Sequence, residues 1–269
     1  MCQHQNRCSI KSDLEIKNEK IDLLLHYMFN HNANGAEKEK EINMKTASEV
    51  SSEAIHYTQQ YNTCKYFWKC VLTNLRYVWL DNNKIAGLQA NAFDGSMVPK
   101  LSKLYLRNNR ISVIESKTFV NMPALIQVYR SNNDIQKIEP DAFEYTPLVQ
   151  LINLDSNYLS KIPRLGKLKS LKSLFIQANL ISNPTFPDEF RNLKKINDIG
   201  LSNNAIRTLD DLTFRNLQNS DVRKLGISRS QIDEISTGAF KWLRNITSLK
   251  LGYNPLASSD LEMAFHGLV

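Results

Sequence analysis

Few side chains here are equipped for covalent or acid–base chemistry, and their spacing assembles no reactive group. The five histidines are His4, His26, His31, His56 and His266. None belongs to a nucleophile motif, no Gly-rich phosphate loop occurs, and no carboxylate cluster has metal-ligand spacing. Enzymatic activity, a cofactor and a metal are therefore not expected. The four cysteines, Cys2, Cys8, Cys64 and Cys70, form two pairs with five residues between partners. That spacing lacks the short knuckle of a zinc site. It suits disulfides, for which four cysteines allow three pairings.

The chemistry that remains is hydrogen bonding by a periodic series of short polar side chains. Asn83, Asn109, Asn133, Asn157, Asn179, Asn204, Ser230 and Asn254 recur at steps of 22 to 26 residues. Around the second of them stands Leu101-x-x-Leu104-x-Leu106-x-x-Asn109-x-Ile111, followed by Ile114 and Phe119. A period of 20–29 residues with this skeleton is the signature of a leucine-rich repeat solenoid. The expected fold is an α/β solenoid: a right-handed horseshoe with parallel β-strands on the concave face and an irregular or short-helical convex side. Each Asn sits where the chain leaves a strand, and its amide can bond the bending backbone. Stacked coils align the amides into a ladder that satisfies backbone groups otherwise left orphaned. Ser230 can do the same more weakly.

The elements that position this ladder follow from the alternation of side chains. Leu104 and Leu106 face the core while Tyr105, between them, faces out. On the return leg a phenylalanine fills the far side of each coil: Phe93, Phe119, Phe143, Phe190, Phe214, Phe240 and Phe265. The short fourth repeat offers Ile162, Leu165 and Leu168 instead. Arg130 stands where the other repeats place Leu or Ile. An unpaired buried guanidinium is costly, so a local register change or a side chain that snorkels to water is expected there, with a buried functional arginine as the alternative.

The outward strand positions line the concave face. Their central column reads Trp79, Tyr105, Tyr129, Asn153, Phe175, Gly200, Gly226 and Lys250, flanked by Tyr77 and Lys103 on one side and Asp81 and Arg107 on the other. Aromatics give large contact area at low entropy cost and are enriched at binding hot spots. The expected ligand site is Trp79, Tyr105, Tyr129, Phe175, Tyr77, Lys103 and Arg107, contacting a protein or other macromolecule. The alternative is that these aromatics only reflect strand propensity.

Along the chain, residues 1–60 do not repeat. Ser12-x-x-Glu15 resembles a capping box before one short helix, and a second weak helix is expected over Ile42 to Tyr57. Residues 61–74 read as an N-terminal cap, where Cys64 and Cys70 would close the exposed first coil. Residues 75–269 hold about eight repeats and are still in the pattern at Val269, so a longer receptor is expected. The net charge is +7. It attracts an anionic ligand or simply aids solubility. No apolar run approaches the roughly 20 residues of a membrane span, and no signal peptide is visible. Asn245-Ile246-Thr247 is a glycosylation sequon and gives weak support to a secreted setting.

The Ile-x-x-Ile-x-x-x-Ala/Thr-Phe phrases at Ile111–Phe119 and Ile232–Phe240 resemble extracellular leucine-rich repeats. The stretch from Leu217 to Ile232, with Phe240-Lys-Trp-Leu243-x-Asn245-Ile-Thr-x-Leu249, resembles Toll-like receptor ectodomains. That resemblance implies a horseshoe that binds microbial or endogenous ligands, forms receptor dimers and signals through a cytoplasmic domain absent from these residues. Two other readings stand beside it: an extracellular matrix or adhesion protein using the same face, and an intracellular scaffold, favoured by the lack of a visible signal peptide.

Overall fold

The computed structural model describes residues 54–56, 74–88, 92–96, 98–257 and 264–265. The four cysteines, the capping-box helix and nearly all of residues 61–74 lie outside them. Nine three-residue strands form one parallel sheet in chain order: Ala54–His56, Tyr77–Trp79, Lys103–Tyr105, Gln127–Tyr129, Leu151–Asn153, Ser173–Phe175, Asp198–Gly200, Lys224–Gly226 and Ser248–Lys250. Each coil contributes one strand, and each strand pairs with the equivalent residues of the next, as in Val78↔Leu104 and Ile199↔Leu225. The first strand was not anticipated. Residues 54–56, expected in a weak helix, instead run parallel to Tyr77–Trp79.

The remaining perimeter carries little helix. Two 3-10 segments, Asp188–Asn192 and Arg215–Leu217, are the helical elements named among the described residues. Short parallel ribbons such as Val113–Ile114 with Lys137–Ile138 take their place elsewhere. The α/β expectation holds in its short-helical, irregular form.

One apolar core runs the length of the array. The central strand residues Leu104, Val128, Ile152, Leu174 and Leu225 are buried, as are the following residues Leu106, Leu154, Ile176 and Ile227. Burying each such side chain is worth about 1.5–3 kcal/mol. On the far side the phenylalanines stack: Phe93 on Phe119 at 5.6 Å, Phe119 on Phe143 at 4.9 Å, and Phe214 on Phe240 at 5.7 Å. Ile162, Leu165 and Leu168 fill the fourth coil as expected. Two details differ. Phe186 joins the core edge-on to Phe190 at 5.2 Å, and Phe265 remains exposed although it stacks on Phe240.

Arg130 corrects the sequence expectation outright. The register does not change, because Tyr129 still pairs with Asn153 and the Arg130 N–H donates to the Asn153 carbonyl at 2.9 Å. Nor does the side chain snorkel: it is fully buried, and none of its three nitrogens has a hydrogen-bond partner among the described residues. The guanidinium carbon lies 4.6 Å from the centroid of the Phe119 ring. Burial pushes the guanidinium pKa down to about 9. The backbone explains why it stays inside. Its carbonyl accepts from the Asn157 and Asn133 amides, at 3.0 and 3.2 Å, so the ladder pins the residue in the inward slot.

Candidate binding face

The asparagine ladder is the frame on which the concave face is built. Asn109 donates to the carbonyls of Leu80 and Leu106, at 2.8 and 3.0 Å, and its oxygen accepts from the Ile85 N–H at 3.1 Å. Asn133, Asn157, Asn179 and Asn204 accept in the same way from Ile111, Ile135, Leu159 and Ile181. Among the described residues Asn83 closes only its own turn, donating to Leu80 and Asp81 carbonyls. Asn254 donates to Ile227 and Leu251 and accepts from Ser230 and Ile232 N–H groups. The Ser230 hydroxyl reaches the Asn204 N–H only at 3.4 Å and the Leu201 carbonyl at 3.5 Å, so its rung is the weak one.

A second set of rungs lies on the concave side. The Asp81 carboxylate accepts from the Arg107 N–H at 2.6 Å, Asp155 from the Gln177 N–H at 2.7 Å, and the Ser202 hydroxyl from the Ser228 N–H at 3.0 Å. These bonds fix the chain two residues beyond each strand, immediately beside the aromatic column. Burial nonetheless raises the Asp155 carboxyl pKa, since the bonds from Gln177 and Asn153 only partly offset lost hydration.

In-register pairing brings Trp79, Tyr105 and Tyr129 side by side. Trp79 stacks on Tyr105 at 5.3 Å with planes 5° apart, and Tyr105 on Tyr129 at 4.8 Å with planes 1° apart. The separation is close to the ~4.8 Å distance between paired strands, which is why the rings lie parallel. Arg107 lies 5.4 and 4.7 Å from the centroids of Tyr105 and Tyr129, and Lys103 lies 5.6 Å from that of Tyr77. Tyr77 packs against Trp79 at 5.8 Å, and the Tyr129 hydroxyl donates to Gln127 at 3.3 Å. Burial, then the neighbouring Tyr129, pushes the Tyr105 phenol above its usual range, so at neutral pH it is an un-ionised donor.

The column ends at Asn153, which turns to Asp155, donating to its carboxylate at 3.2 Å and accepting from its N–H at 3.0 Å. Phe175 is therefore separated from the other aromatics. It leans over the next coil, where a Cβ added to Gly200 would meet its ring at 3.1 Å. Six of the seven expected ligand residues, Tyr77, Trp79, Lys103, Tyr105, Arg107 and Tyr129, form one patch, and Phe175 stands apart.

The faces of the stacked rings cover one another, so the patch presents ring edges, phenol hydroxyls and a guanidinium. Such a surface can bury apolar area while satisfying polar groups on a partner. Asn245 is exposed at the edge of the eighth repeat and donates to Asp221 at 3.1 Å. No cluster of metal-ligating side chains occurs among the described residues. None of their helices is long and apolar enough to cross a membrane.

One feature beyond the repeat signature is a second, exposed amide row. Asn82, Asn108 and Asn132 sit one residue before the ladder, and Asn108 donates to Asn82 at 2.6 Å and Asn132 to Asn108 at 2.9 Å. All three have positive φ, near 60°, 55° and 56°, a conformation that asparagine tolerates. Its sequence signal is the Asn-Asn doublet at 82–83, 108–109, 132–133 and 203–204.

Comparison with known proteins agrees with this geometry. The leucine-rich repeat family model matches residues 73–135, 99–159 and 130–181, and the model of the BspA-type leucine-rich repeat region matches 167–263. Human Toll-like receptor 3 is 24% identical over 209 residues, 73% of this chain and 23% of that protein. Lumican of Gallus gallus is 34% identical over 192 residues, 70% of this chain and 46% of that one. Among solved structures, a complex of TLR13 with ssRNA13 aligns with TM-score 0.56 and 25% identity, over 73% of this chain and 26% of that one. The glycosylated Toll–Spatzle complex of Drosophila aligns with TM-score 0.57 and 26% identity, over 69% and 24%. The chain thus spans about a quarter of the length of its Toll-like relatives and under half of lumican. The repeat spacing, the parallel one-strand coils, the asparagine ladder and these matches together establish that the chain belongs to the leucine-rich repeat proteins.

Proposed function

We propose that this chain is a protein-binding segment of a Toll-like extracellular receptor, with its docking patch on the concave face of the first three repeats. The observation that carries the reading is the ring stack Trp79–Tyr105–Tyr129 with Arg107 against it. Rings, a guanidinium and phenol hydroxyls concentrated on one face match the composition of interface hot spots. The relatives supply the receptor context, including Toll in complex with Spatzle. A protein suits the patch better than single-stranded nucleic acid, because base stacking needs open ring faces and here the rings cover each other. The work of the chain is recognition rather than catalysis. The glycosylation sequon at Asn245 and a receptor dimer fit the same extracellular setting.

A second reading, an extracellular matrix or adhesion protein, is favoured by the higher identity to lumican. It would use the same face.

The test is a screen of a displayed library of secreted and cell-surface proteins against the full chain and against Trp79→Ala/Tyr105→Ala. Loss of two half-exposed rings should weaken a true partner at least tenfold, with the thermal midpoint changed by only a few degrees. Partners that bind both chains equally would overturn the assignment of the site.

A further inference from the structure

We propose that the flank of the third to sixth repeats is a second binding site, separate from the concave face, for an uncharged oligosaccharide. The exposed amide row defines it. That row runs as hydrogen-bonded asparagines through Asn82, Asn108 and Asn132, then shrinks to Ser156 and Ala178 before Asn203 resumes it. The two small residues leave a depression of about 480 Å³, bounded by Asn132 at one end and Asn203 at the other, with Tyr158 and Leu180 along its side. That volume falls within the range of small-molecule sites, roughly 300–1,000 Å³.

The lining specifies the ligand. No charged residue contributes to it, so an ionic group would gain no counter-charge there. Asn132 gives one of its two amide N–H groups to Asn108, which leaves the other to donate and its carbonyl oxygen to accept. The Asn203 amide, the Ser156 hydroxyl and the Tyr158 hydroxyl are free of hydrogen-bond partners among the described residues. The backbone N–H groups of Asn132, Ser156, Ala178 and Asn203 are already bonded to Asp155, Gln177, Ser202 and Ser228, so recognition falls to side chains. Tyr158 and Leu180 are among the large apolar side chains exposed in the array, at 51% and 54%. An apolar strip beside paired donors and acceptors matches a sugar, whose rings present C–H faces edged by hydroxyls.

Spacing separates this ligand from an extended peptide. The recognition groups repeat once per coil, every ~4.8 Å, and the slot spans three coil steps, about 14 Å. A pyranose unit is about one coil step long, whereas peptide residues recur every ~3.3 Å and would drift out of register. The φ angles at Asn132, Ser156, Ala178 and Asn203 are 56°, 55°, 51° and 59°, so the four coils hold their side chains in one repeated posture.

The experiment uses the full chain with maltotetraose, cellotetraose, chitotetraose and mannotetraose, read by saturation-transfer NMR. A chondroitin sulfate tetrasaccharide and tetraserine serve as charged and peptide controls. Ala178→Asn refills the row with a residue suited to positive φ, and Tyr158→Ala removes the exposed ring; thermal melts confirm that both fold. At least one neutral sugar should bind and lose tenfold or more in affinity in either variant, while Tyr105→Ala leaves it unchanged. Silence from all four neutral probes, equal binding by wild type and both flank variants, or a stronger response to tetraserine or the sulfated sugar would overturn the proposal. Because Tyr105 belongs only to the concave patch, failure here and failure of the receptor reading are distinguishable.

Discussion

The first three or four coils and the later ones place their polar and apolar atoms differently. Early coils carry aromatics on the concave face and an arginine inside, at Tyr129 and Arg130 of one continuous segment. Later coils have a regular Leu and Ile interior, and their face thins to Gly200 and Gly226. The contrast teaches that face and interior are specified independently. Successive residues of a strand point to opposite sides, so a binding column can be enriched without improving the core beneath it.

The largest effect should come from removing the interior defect. Arg130→Leu supplies the side chain that equivalent slots already hold, and should stabilise the array by about 2–4 kcal/mol, read by urea unfolding, because a desolvated cation is replaced by apolar packing. The contact with Phe119 offsets only about 2 kcal/mol of the burial cost. The sign with pH is checkable. The folded pKa, about 9, lies well below that of the unfolded chain, so the penalty is fully present below pH 9 and fades as pH rises above it. The advantage of Arg130→Leu should therefore hold constant up to about pH 9 and shrink as the pH is raised beyond it. An unchanged midpoint would mean that the early interior is no weaker than the late one.

Next come the ladder rungs, which reverse the comparison, since here the weak coil is a late one. Asn157→Ala strands the buried Ile135 N–H and removes one of the two amide donors to each of the Arg130 and Leu154 carbonyls, Asn133 and Asn179 remaining, and should cost about 2–3 kcal/mol. Ser230→Asn should restore a regular rung and gain about 1 kcal/mol, measured as a midpoint shift in denaturant. A loss of stability on Ser230→Asn would show that the late coils have closed around the smaller side chain.

On the face itself, a double-mutant cycle between Arg107→Ala and Tyr129→Ala should give a coupling of about 0.5–1 kcal/mol in stability. Additive effects would mean that the early patch is a set of separate side chains. The smallest change is Asp155→Asn. Its carboxyl pKa is raised by burial, so wild type gains stability from this group as pH falls into the carboxylate range and loses it again as pH rises. The amide, without that charge, should flatten the dependence between pH 3 and 6 by a few tenths of a kcal/mol.

Much of the fold was legible because one physical requirement repeats. The interval from Asn109 to Asn133 and the alternation at Leu104-Tyr105-Leu106 each name an orientation, and each strand, inward leucine and rung fell where they imply. What escaped was not periodic. Ala54–His56 lacks the repeat signature, yet parallel pairing with Tyr77–Trp79 supplies backbone partners that no side-chain pattern announces. At Arg130 the side-chain cost alone points outward, while the residue's position is set by ladder bonds to its carbonyl. The aromatic patch was legible as a column, but its end was not, since Asn153 folding back on Asp155 is a local hydrogen-bond choice. The flank depression is still harder to read, being made of what Ser156 and Ala178 omit.

The strand pairing has a consequence for how such a molecule changes over generations. Leu151–Asn153 and Ser173–Phe175 pair residue for residue, although Asn157 and Asn179 are only 22 positions apart rather than 24 to 26. Deletions on the outer arc are thus absorbed within one coil and never reach the inner edge. A change of length on that arc leaves the strand pairing in place, while any insertion inside a strand would shift its outward letters onto the wrong side.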